Sequence, residues 1–253
     1  MNSLRAHGLP GTIAASIKRP LASTAVFRER VEGQRGLEIG GPSAFFRTFL
    51  PIYKTVASLD NCVFANTTMW EGAVKESFEY APSKPPGRNY IADGTALNHV
   101  ADAAYDFILS CHSLEHIANP IRALKEWIRV TRPGGCIVLV VPDHRRTFDH
   151  SRPPTSLEHM LDDFGNNVGE DDQTHLAEIL ERHDLRKDPS AGNWTDFRER
   201  SLKNLQMRAL HHHVFNTRNT QELLTAVGLE VKVVETALPH HIAVLSVVAD
   251  DRP

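Results

Sequence analysis

Cysteine is scarce in this chain: Cys62, Cys111 and Cys136 are the only three in 253 residues. They lie far apart, are odd in number and form neither a C-x-x-C pair nor a disulfide framework, so a reducing, cytoplasmic setting is expected. Also missing is an apolar run of the roughly 18–20 residues that a bilayer-spanning helix needs, and the N-terminus has no signal-peptide pattern. Nor is there an excess of positive charge. Lys and Arg number 28 against 31 Asp and Glu, a net charge of −3, which leaves no field to gather nucleic acid or anionic lipid, and neither is an expected partner. Aromatic residues are few at 7%, yet 41% hydrophobic and 23% charged residues are ordinary for a folded globular chain. The unusual abundance is histidine, with fourteen residues that gain charge as the pH falls towards their ordinary titration range.

A chain of this length holds one generous α/β domain and is too short for two large ones. Residues 1–34 carry no strand pattern and read as an N-terminal arm or lid, in which Ser23 caps a helix through Val26, Phe27 and Val31. From Gly36 short apolar runs alternate with helical patterns, the mark of parallel βαβ units. Strands are expected at 36–39, 54–59, 89–92, 106–111 and 136–141. The last of these is continuously apolar, as a central strand buried on both faces must be. Asn119 and Pro120 open a helix whose buried stripe is Ile121, Leu124, Trp127, Ile128 and Val130. Residues 143–216 are too long for a simple loop and read as a helical, substrate-facing insertion with amphipathic stretches near 155–164, 173–183 and 194–209. A helix from Thr220 to Val227 and an antiparallel hairpin of 229–236 with 241–248 close the chain.

The strongest local signal is Leu37-Glu38-Ile39-Gly40-Gly41-Pro42-Ser43, a strand running into a glycine turn where backbone can approach a ligand closely. About twenty residues on, Asp60 is expected at the end of the second strand, and Asp93-Gly94-Thr95 at the end of the third. In a doubly wound sheet these carboxyl ends share one crevice.

With these, the stretch Tyr105-Asp106-Phe107-Ile108-Leu109-Ser110-Cys111-His112-Ser113-Leu114-Glu115-His116-Ile117, the Pro120 helix and Arg132-Pro133-Gly134-Gly135 resemble the class I S-adenosylmethionine-dependent methyltransferases, especially the small-molecule group. The resemblance covers residues 34–142 and 211–249. It implies a Rossmann-like, doubly wound, mostly parallel α/β sheet with a C-terminal antiparallel hairpin, so that residues 35–253 form a methyltransferase domain. It further implies that Glu38, Gly40, Gly41 and Ser43 surround the methionine part of S-adenosyl-L-methionine. Asp60 would hold the ribose, with Asn61 also cofactor-binding; Asp93, Gly94 and Thr95 the adenine; and Ser110, Cys111 and His112 would line the pocket near the sulfonium. One departure is that Pro42 and Ser43 stand where the family turn often has glycine. A nicotinamide-binding enzyme would want glycine at position 45, where this chain has Phe45.

Methyl transfer is an in-line displacement in which positioning supplies much of the rate, and histidine suits any proton removal from an acceptor. His112, just past the fourth strand, and His144, just past the fifth, are the candidate bases; His116 reads as structural. Arg145 and Arg146 are donors suited to an anionic or sugar-like acceptor, and His211 and His213 share one side of an extended segment. His159 and Asp162 or Asp163 share a helical face, but without H-E-x-x-H or finger spacing no metal site is expected. The reading is a methyltransferase acting on an O or N atom of a small polar metabolite, as monomer or homodimer. The alternative is a cofactor-binding regulatory or complex-forming protein without catalysis.

Overall fold

The strand order is what locates the site. The computed structural model describes residues 19–69 and 72–250, so most of the expected N-terminal arm lies outside the described residues. Its main strands are β1 (Arg35–Ile39), β2 (Ser58–Val63), β3 (Gly87–Ile91), β4 (Tyr105–Cys111), β5 (Thr131–Pro142), β6 (Leu229–Ala237) and β7 (His241–Val248). Among the described residues the sheet has eight strands, in the order Ser77–Phe78, β3, β2, β1, β4, β5, β7, β6. β1 to β5 run parallel, and β7 is antiparallel to both β5 and β6. Order reverses between β1 and β4, and a doubly wound sheet opens a crevice at the carboxyl ends on either side of such a switch.

Helices cover both faces. On one lie α1 (Thr24–Val31) and the single turn α2 (Phe45–Thr48), whose Phe27, Val31 and Phe46 pack with Phe107, Leu109, Val138 and Val140. On the other, Trp127 and Leu124 of α3 (Pro120–Val130) pack with Ile108, Ile137, Leu139 and Val141. The period-two alternation divides the apolar run of β5 between two cores, which is why it shows no polar side. Asn119 caps α3 by accepting from Arg122 N at 3.0 Å, and the Trp127 indole donates to Gly94 O at 2.9 Å, tying that helix to the turn after β3.

Two expectations shift. Ser23 precedes α1, but its side chain makes no cap; it donates to Glu235 of β6, whose carboxylate also accepts Ala22 N at 2.7 Å and Ser23 N at 2.9 Å. The second strand begins at Ser58 rather than position 54. Residues 53–57 turn instead, because Thr55 N and Val56 N both reach Ile52 O while Tyr53 and Val56 go into the core.

The insertion is helical as expected: α4 (Leu157–Gly165), α5 (Leu176–Arg182), α6 (Trp194–Leu202) and α7 (Asn204–Met207). α8 (Thr217–Ala226), with an Asn216 capping box, then leads into β6. Among the described residues no helix is long and apolar enough to cross a membrane.

Candidate active site

The turn after β1 is held from beneath. At Gly40, φ is +75°, and a Cβ would lie 2.6 Å from Ser113 Oγ; at Gly41 it would lie 2.3 Å from Glu38 Cδ, so neither position tolerates a side chain. The buried Glu38 carboxylate accepts Ser43 N at 3.1 Å, Ser43 Oγ at 2.6 Å and Tyr53 OH at 2.7 Å. Burial pushes its pKa up to about 7 in spite of those donors. From β2, Asn61 accepts Gly41 N at 2.9 Å and donates to Gly41 O at 3.2 Å. Glu38 and Asn61 therefore shape the turn and do not form the cavity wall.

Above the turn, at the carboxyl ends of β1, β2, β4 and β5, is a cavity of about 640 Å³, inside the range of about 300–1,000 Å³ common for small-ligand sites. Of the expected cofactor residues it brings together Gly40, Gly41, Ser43, Asp93, Gly94, Cys111 and His112, and of the expected substrate residues Arg146 and His211. Asp93 accepts Thr95 N at 2.9 Å, Thr95 Oγ1 at 2.7 Å and Arg208 Nη2 at 2.8 Å.

The other expected residues lie elsewhere. Asp60 sits within β2, three residues before its end, with Arg88 N at 2.8 Å, Tyr105 OH at 2.8 Å and Arg35 Nη2 at 3.2 Å. The cavity residue past the end of β2 is Phe64. Thr95 acts on Asp93 rather than on the cavity, and Ser110 is buried within β4 outside the wall. Arg145 is turned onto Asp143 at 2.7 Å, and neither it nor His144 contributes to the wall. His213 is buried, with Nε2 3.0 Å from Ala118 O.

Five histidines, His112, His116, His211, His240 and His241, contribute to the cavity wall. His112, in a left-handed conformation at φ 53°, has Nε2 2.9 Å from Nδ1 of His241. Burial and the neighbouring His241 and His240 hold its pKa well below the ordinary histidine range, so it is neutral near pH 7. His211 behaves oppositely. Burial alone would lower its pKa, but Asp149, 2.5 Å from Nδ1, outweighs burial and raises it. Asp149 is in turn held down at about 2, against its own burial, by His211 and Arg152.

Sequence reasoning missed His240, His241, Arg208, Asp149 and Glu115. The first two had a readable signal: β7 runs antiparallel beside β5 with His241 opposite Pro142, which returns the hairpin turn to the strands' carboxyl ends. The partners of Arg208, Asp93 and Glu170, are set by the insertion's packing, for which no local pattern exists.

Glu115 is fully buried at the cavity wall, neither oxygen has a hydrogen-bond partner, and burial raises its pKa to about 7. The folded chain therefore keeps this proton where the unfolded chain, with an ordinary value of 4.5, loses it. Stability falls as pH rises from about 4.5 to about 7. Glu115→Gln should remove that contribution, about 3 kcal/mol at full extent by linkage. Urea unfolding at pH 5 and pH 8 should show a smaller loss in the variant; equal losses would mean the carboxylate finds a cation when folded.

Residues 45–139 match the family model of a methyltransferase domain. An uncharacterized methyltransferase of Mycobacterium sp. (strain JLS) is 44% identical over 59 residues, 23% of this chain and 23% of that protein, so the chain spans under a quarter of this relative's length. Among solved structures, an S-adenosylmethionine dependent methyltransferase from Mesorhizobium loti superposes with a TM-score of 0.52 at 13% identity, covering 89% of this chain and 95% of that one. A SAM-dependent methyltransferase from Methanosarcina mazei gives 0.51 at 14% identity, covering 89% and 98%. The sheet order and these likenesses agree on the fold: the chain has the class I S-adenosylmethionine-dependent methyltransferase fold, and residues 45–139 match a methyltransferase-domain model.

Proposed function

We propose that the chain transfers a methyl group from S-adenosyl-L-methionine to an O or N atom of a small polar acceptor. The observation that carries this reading is the one cavity at the switch point, where the glycine turn, Asp93 and a wall of histidines face the same space. When bound, S-adenosyl-L-methionine supplies the electrophilic methyl group. The cradle fits it: Gly40 and Gly41 leave the backbone bare where a side chain would collide, and Asp93 is an ionised acceptor at the cavity edge with its pKa lowered. Burial opposes that charge, while the Thr95 donors and Arg208 outweigh it. Gly40, Gly41, Ser43, Asp93 and Gly94 would hold the donor. Arg146, Phe148 and Lys187 would contact the acceptor, which makes residues 143–216 the source of specificity.

His211 is the better-built base. Asp149 occupies Nδ1 and leaves Nε2 to take a proton from the acceptor, and the carboxylate stabilises the imidazolium that results. His112, kept neutral, orients the acceptor. His144 is not proposed for catalysis, because it stands outside the cavity wall.

Calorimetric titration with S-adenosylhomocysteine, beside NAD as a control, tests the cofactor assignment. Only the former should bind, and Asp93→Ala should weaken it by about 1.5–3 kcal/mol, the range for hydrogen bonds to a charged group. Asp60→Ala should leave the affinity unchanged. The reverse pattern would put the ribose back on Asp60 and overturn the assignment.

A further inference from the structure

Outside the cavity, the insertion gathers a second set of titratable side chains with metal-ligand character. His159 and Asp163 lie one turn apart on α4, His175 immediately precedes α5, and His213 lies in the segment leading to α8. Taking one ligand atom from each, all four atoms lie within 4.8 Å of one another. His159 Nε2 is 3.0 Å from His175 Nε2 and 3.4 Å from Asp163 Oδ2. A tetrahedral ion with bonds of about 2.0–2.2 Å spaces its ligand atoms about 3.3–3.6 Å apart, so the cluster is close to the size required.

Two of the donors lack partners in a place where that is costly. Asp163 and His213 are 8% and 1% exposed, yet Asp163 Oδ2 and His213 Nδ1 make no hydrogen bond. Buried polar atoms are rarely left so. The surrounding contacts have the form of an outer shell: His213 Nε2 rests on Ala118 O at 3.0 Å, and Asn119 Nδ2 donates to Asp163 O at 3.1 Å. Asp162 and Asp172 add negative charge around Asp163 and Glu178 adds more near His175, whereas Arg152 is the nearby cation and His212, its pKa lowered by burial to about 4, is neutral near pH 7. A +2 ion relieves this excess of acid and uses imidazole lone pairs that otherwise face one another.

We propose that His159, Asp163, His175 and His213 bind one divalent transition-metal ion, zinc being the best match to three imidazoles and a carboxylate. With four protein ligands the site is closed, which makes it structural rather than catalytic. It fastens α4 and the start of α5 to the segment 211–213, two residues from the cavity-lining His211. The spacing alone gave no reason to expect a metal here. The four ligands come from three separate segments that meet only when the insertion folds.

The test uses the full chain, stripped with EDTA, dialysed and titrated with zinc chloride alone, so it does not depend on methyl transfer. One equivalent should bind and raise the melting temperature, and cobalt in its place should give the visible absorption of a tetrahedral site. Because His159 is partly exposed, His159→Ala should fold as the stripped wild type does, judged by circular dichroism in EDTA, and bind zinc at least about tenfold more weakly. His240→Ala/His241→Ala, in the cavity, should bind zinc as wild type does. Wild-type chain that takes up no stoichiometric zinc would overturn the proposal. So would binding that survives His159→Ala/His175→Ala and disappears in the cavity variant.

Discussion

Arg152→Met will lower the unfolding free energy by about 3–5 kcal/mol, the range for removing one partner of a buried ion pair. Arg152 is 2% exposed. Its Nη1 donates to Asp149 Oδ1 at 3.0 Å and to His211 O at 2.8 Å, and Glu178 lies 3.7 Å from Nε. Without the guanidinium, Asp149 remains buried beside His211 alone and the carbonyl oxygen of His211 loses its donor. The loss comes from the stranded groups more than from the pair itself, so a double change, Arg152→Met with Asp149→Leu, should destabilise less than the sum of the two single changes. Urea midpoints for the three variants decide it. The Asp149 carboxylate is held at about 2, so its contribution is complete above about pH 4 and is lost as the pH falls through 2. The difference between wild type and Asp149→Leu should narrow over that window.

His211→Ala will lower kcat about 10²–10⁴-fold, the usual contribution of a positioned general base, while leaving S-adenosylhomocysteine affinity within experimental error. Asp149→Asn should produce much of the same loss, because the amide cannot stabilise an imidazolium as the carboxylate does. His112→Ala should act mainly on KM for the acceptor. Single-turnover assays across pH separate the roles. If His211 is the base, the rate of the wild type rises with pH through a histidine titration that His211→Ala no longer shows. A variant with full kcat and an unchanged pH profile would remove His211 from the chemistry.

Much of the fold was legible from local chemistry. The Asn119-Pro120 opening, the split apolar run of β5 and the Gly40-Gly41 turn each express a constraint within a few residues of chain, and all three were placed correctly. The second strand was not. Ile52 to Leu59 is an apolar-rich stretch that reads equally well as a strand or as a turn with two anchors, and long-range packing of Tyr53 and Val56 chose the turn. That displacement puts Asp60 inside the strand and Phe64 just past its end, where the cavity lies. The histidines show the same limit. Fourteen were visible from the start, but whether a given one meets Asp149 or Asp163 depends on how 143–216 folds back over the sheet, and the meeting of His112 with His241 on how β7 pairs with β5.

The place of β7 bears on how the chain is made. This strand lies inside the sheet, between β5 and β6, yet it is the last of the described strands in chain order. A nascent chain can assemble β1 to β5 on the ribosome, but the outer side of β5 then shows a bare row of amides and carbonyls until His241–Val248 emerges, about a hundred residues later. The unfinished intermediate is an open-edged sheet with strongly apolar flanks, prone to pairing with its neighbours on a polysome. Because β6 joins the sheet only through β7, the closing step adds the hairpin to the β5 edge as one unit rather than strand by strand.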